Sequence, residues 1–137
     1  MKIKAFIDNT LINSKYFNRE SESAGDFLKG LHVHENEFIN NGDIPSGQNI
    51  AEYIFSKSEG FDYMFYFFSD SKFYDINENN KLIRQSLKYK ADYGYGENFP
   101  EGVIGEIVKR DALPVMSNVY KQNNIKHDRN VFGGIIN

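Results

Sequence analysis

A chain of 137 residues accommodates one domain with a single hydrophobic core and leaves little room for two. With 40% hydrophobic and 26% charged residues, it has the composition of a chain that folds. The absence of cysteine excludes disulfides, thiolate catalysis and cysteine zinc sites, and a net charge of −3 argues against general nucleic-acid binding.

Residues 2–8 alternate, with Ile3, Ala5 and Ile7 on one face and Lys2, Lys4 and Phe6 on the other, which predicts a strand. Residues 9–16 either extend it or turn away. A short helix is expected over 21–30, stopped by Gly30. Residues 31–39 read as a strand, because Leu31 and Val33 alternate with His32 and His34. The Asn-Asn-Gly-Asp and Pro-Ser-Gly clusters make 40–47 a loop. Ile50, Tyr53 and Ile54 predict a helix over 48–58, with Ser46 as cap and Gly60 as stop.

Residues 61–68 are aromatic and apolar on both faces, the pattern of a central strand covered on each side. A turn over 69–71 and a return strand over 72–76 would complete a hairpin. Ile83 and Leu87 stripe a helix over 77–90, and Asp75 followed by Glu78 resembles a capping box. The glycines between 93 and 102 predict a loop. Val103, Ile104, Ile107 and Val108 have helical spacing over 103–110. Pro114 predicts a break at Leu113 before a short helix over 115–122, and 130–136 reads as a last strand.

The interleaved periods predict an α+β fold in a single globular domain spanning 1–137. The expected sheet is mostly antiparallel or mixed, with about four to five strands packed against about three to four helices. The N-terminus lacks the apolar core of a signal peptide, and the longest apolar run, 63–68, is too short to cross a bilayer. The expectation is a cytoplasmic protein without membrane contact.

Three sets of residues are candidate sites. On a regular strand His32 and His34 would project together, as two metal ligands or an acid–base pair, with His127 and Asp128 the obvious further ligands. Lys81, Arg84 and Lys88 share one helix face and suit a phosphate or an acidic partner. Tyr93, Tyr95 and Phe99 flank Gly94 and Gly96 and suit a recognition surface. That glycine spacing matches neither a P-loop nor a dinucleotide fingerprint. Residues 55–60 look similar to the guanine-recognition loop of barnase-type ribonucleases, but the late histidine those enzymes need has no counterpart here.

Two functions follow as expectations. The first is a small binding protein that occludes a macromolecular partner, such as an inhibitor, an immunity-type protein or a counter-defence factor. It would use the tyrosines together with an acidic half, residues 1–70 carrying 6 basic and 11 acidic side chains. The second is a small phosphodiester- or nucleotide-acting enzyme with His32 and His34 as acid–base groups and the basic helix face holding phosphate. Neither calls for a cofactor.

Overall fold

The computed structural model describes residues 1–10, 26–69, 74–96, 103–123 and 132. Five strands form one mixed sheet: β1 (Ile3–Asp8), β2 (Glu35–Ile39), β3 (Tyr63–Phe68), β4 (Tyr93–Tyr95) and β5 (Glu106–Lys109). Their order is β2-β1-β3-β5-β4. Three helices are described in full: α1 (Ile50–Lys57), α2 (Ile76–Lys88) and α3 (Leu113–Asn123). Residues 26–30 are also helical. The architecture is α+β.

The sheet has two halves. β1 pairs in parallel with β2 on one side and with β3 on the other, Ala5 standing between Asn36 and Phe65. β5 pairs antiparallel with both β3 and β4. Parallel neighbours require crossovers, and helices supply them. The chain steps from β1 to β2, then returns past β1 to β3, so the strand order reverses at β1.

Both faces of the sheet are covered, and the alternation along each strand sorts its side chains. Phe6, Met64, Tyr66, Phe68 and Val108 face α1 and α3, packing with Ile50, Ile54, Leu113 and Met116. Ile3, Ala5, Ile7, Phe65, Phe67 and Ile107 face residues 26–30 and α2, packing with Phe27, Leu31 and Ile83. Each large ring buried this way contributes about 1.5–3 kcal/mol. Phe27 stacks on Tyr74 at 4.4 Å and meets Phe67 edge-on at 5.0 Å, so the rings also interlock.

Several local expectations need correction. Residues 103–110 do not form a helix; β5 occupies 106–109. Its consecutive apolar residues arise because Ile107 enters one core and Val108 the other. In a doubly buried strand such a run imitates helical spacing. Residues 93–95 are an edge strand, not a loop. A Cβ at Gly94 would lie 2.5 Å from Ser86 Oγ, so only glycine lets β4 lie this close to α2. The strand expected over 31–39 begins at Glu35. Asn49, not Ser46, caps α1, accepting from the Glu52 amide. Asp75 caps α2 as expected, and Ile76 begins that helix instead of ending a hairpin. Pro114 does not delay α3, because a helix tolerates proline in its first turn. The turn expected over 69–71 and the return strand over 72–76 fall largely outside the described residues, as does the strand expected over 130–136, of which only Phe132 is described, in a turn.

Candidate functional site

Asp8 ends β1 and is fully buried, which is rare for a carboxylate without partners. The partners are close by. Tyr66, also buried, donates its hydroxyl to Asp8 Oδ2. Thr10 donates its amide to Oδ1 at 2.7 Å and its hydroxyl to the same oxygen at 2.5 Å. Asp8 and Tyr66 meet because both lie on the α1/α3 face, two residues apart in the parallel register that pairs Phe6 with Tyr66 and Asp8 with Phe68. Hydrogen bonds to a carboxylate favour its charged form.

Asn9 anchors a second polar group. Its amide donates to Ile39 O at 2.8 Å, and its side chain donates to Asn40 Oδ1 at 2.8 Å. Ser69 donates its hydroxyl to Asn9 Oδ1 and its amide to Asp8 O at 3.0 Å. The carboxyl ends of β1, β2 and β3 are thus tied together by Asp8, Asn9, Thr10, Asn40 and Ser69. This end of the sheet lies where the strand order reverses, the position at which open sheets of parallel strands hold ligands.

Behind Asp8 the polar network continues. Burial, then the Asp8 carboxylate, holds the Tyr66 phenol far above its ordinary range, with Glu106 and Tyr120 adding to the shift. Burial, then Glu106, does the same to Tyr93 and to Tyr120. Glu106 Oε2 accepts from the Phe132 amide at 3.0 Å. Glu106 on β5 therefore bears on all three phenols, and Asp8 on β1 on Tyr66.

The residues singled out in the sequence lie elsewhere. His32 and His34 precede β2, so they do not form a same-face pair on a strand. His34 Nδ1 accepts from the Ile3 amide at 3.0 Å. The His32 amide donates to Asn80 Oδ1 at 2.8 Å, which brings that segment to α2 one residue before Lys81. Lys81, Arg84 and Lys88 are exposed on α2. Tyr93 and Tyr95 stack at 5.6 Å on edge strand β4, with Tyr95 half exposed. Phe99, His127 and Asp128 fall outside the described residues. Among the described residues no group of three His, Asp or Glu is placed to hold a metal ion.

Sequence reasoning passed over Asp8, Asn9, Thr10, Tyr66 and Ser69. One signal was present: an acidic residue closing an apolar strand, followed by Asn-Thr, and a serine closing the other apolar strand. Set against known protein families and curated proteins, the sequence matches no family model and no individual protein.

Proposed function

We propose that this protein is an enzyme acting on phosphate esters, with nucleotides as the substrate class and the carboxyl ends of β1, β2 and β3 as the site. One observation carries this reading: Asp8, a fully buried carboxylate, ends the strand at which the sheet reverses order. Asp8 acts through the Thr10 hydroxyl that donates to it: that hydroxyl takes a proton from the attacking water as its own passes to Asp8 and the ester oxygen leaves phosphorus. Asn40 supplies its side-chain amide N–H groups, and the Ser69 hydroxyl, which here donates to Asn9, turns to a phosphoryl oxygen on binding; neither needs a positive charge.

The test is turnover of p-nitrophenyl phosphate and of nucleoside monophosphates by the wild-type protein and by Asp8→Asn. The expected result is a fall in kcat of about 10²–10⁴-fold, with little change in Tm because the side chain keeps its shape. Equal rates in the two proteins, or no turnover by wild type, would refute the reading.

A second reading rests on a different surface. Tyr95 is 50% exposed and stacked on Tyr93 on β4, the last strand of the described sheet, a geometry that suits a protein partner and action by occlusion. Under that reading Tyr95→Ser abolishes capture of a stoichiometric partner while Asp8→Asn leaves it intact.

A further inference from the structure

The hydroxyl of Tyr66 is aimed at one oxygen of Asp8 while Thr10 occupies the other. Nothing in a plain packing role requires that arrangement. The ring of Tyr66 is held edge-on by Phe68 at 5.5 Å and by Phe132 at 5.6 Å, so a phenylalanine would fill the same space. The phenol is instead placed at the meeting point of two carboxylates and a second phenol. Asp8 faces it from β1, Glu106 from β5 and Tyr120 from α3.

We infer that Tyr66 is a positioning residue for Asp8, holding its carboxylate as an anion in one orientation at the carboxyl end of the sheet. The consequence for catalysis rests on the phosphate-ester reading above, whereas the consequence for Asp8 itself does not. A buried carboxylate loses solvation and is pushed towards its neutral form; a hydrogen bond to the anion opposes that push. Tyr66 remains protonated wherever Asp8 titrates, because burial and the neighbouring Asp8 charge move the phenol upward, away from the carboxylate range. It is therefore a donor throughout. Removing the hydroxyl takes one donor from the anion and shifts the balance toward the neutral acid.

The sign is fixed by that argument. In Tyr66→Phe the Asp8 carboxyl should titrate about one pH unit or more higher than in wild type. The acid limb of the kcat/KM profile should move upward by the same amount, with KM little changed.

The experiment follows the side-chain carboxyl 13C resonance of Asp8 through an acid titration, in full-length wild type and in Tyr66→Phe. A raised midpoint in the variant is the expected result. An unmoved midpoint overturns the assignment, even where the wild-type protein turns over phosphate esters. Absence of turnover in the wild type sinks the preceding reading and leaves the carboxyl titration to decide this one. Should Tyr66→Phe not fold, the hydroxyl proton of Tyr66 is followed in the unaltered protein. It should shift with the same midpoint as the Asp8 carboxyl, and a hydroxyl resonance indifferent to that titration overturns the assignment.

Discussion

The two ends of the parallel strands carry opposite kinds of polar chemistry. At the amino end, polar side chains close the sheet by gripping backbone. His34 takes the Ile3 amide, and Asp62 takes the Lys2 amide at 2.8 Å. Arg110 donates to Ser58 Oγ at 3.2 Å and to Phe55 O at 3.0 Å, with its guanidinium 3.9 Å above the Phe55 ring. Lys4, nearly buried, binds Glu35 at 3.2 Å, Glu37 at 3.1 Å and the last carbonyl of α1 at 2.8 Å. Positive groups here meet acids or the negative end of a helix, an arrangement that holds structure. At the carboxyl end, one buried carboxylate accepts from the Tyr66 and Thr10 hydroxyls and from the Thr10 amide. The contrast separates a joint from a site.

Five substitutions and one change of pH sharpen that contrast. Asp8→Asn is expected to cost about 10²–10⁴-fold in turnover while leaving the urea midpoint nearly in place. Lys4→Met should do the reverse. It strands Glu35 and Glu37 and removes a helix-end contact, so stability should fall by about 2 kcal/mol. That is below the usual loss for a fully buried pair because both acids keep contact with water. Turnover per folded molecule should be retained. Urea unfolding followed by circular dichroism, with rates measured on the same samples, checks both. A Lys4→Met protein that keeps wild-type stability would dissolve the distinction.

The change of pH is to alkali. Tyr66, Tyr93 and Tyr120 are all held above the ordinary phenol range in the folded chain, first by burial and then by nearby carboxylates. Once pH passes the unfolded phenol value of about 10, the unfolded chain releases protons that the folded chain keeps. Stability is therefore fully present below that value and declines as pH rises towards the folded values. Urea midpoints at about pH 7 and about pH 11 should differ in that direction, and Tyr120→Phe should shrink the difference. The smallest effects concern single hydroxyls and imidazoles. Tyr63 is buried with its hydroxyl unbonded, so Tyr63→Phe should raise stability by about 1 kcal/mol. His34→Ala should lower it by a similar amount, about 1 kcal/mol, without changing turnover.

How far the sequence disclosed this architecture depended on the period of each segment. β1 was legible because its apolar residues alternate along the strand, and β3 because six consecutive residues are aromatic or apolar. α1 and α2 were legible because one stripe repeats and their caps or stops carry recognisable residues. β5 was misread because a four-residue strand buried on two sides has no alternation to show. β4 was misread because its central glycine serves packing against α2, while glycine in a sequence signals a turn. The site itself was hidden for a longer-range reason. Asp8 and Tyr66 are separated by 58 positions, and only the parallel register of β1 with β3 brings them together. His32 and His34 attracted attention as a local pattern, yet the strand begins one residue after them and the pattern never forms.

The central claim is that the carboxyl ends of β1, β2 and β3 receive a phosphate-bearing ligand. It is tested most directly by titrating a nucleoside monophosphate into 15N-labelled protein and following backbone amide resonances. The account predicts saturable shifts at Thr10, Asn40 and Ser69 that persist in Asp8→Asn, the variant that has lost turnover. Shifts confined to Lys81, Arg84 and Lys88, or no shifts at millimolar ligand, would contradict it.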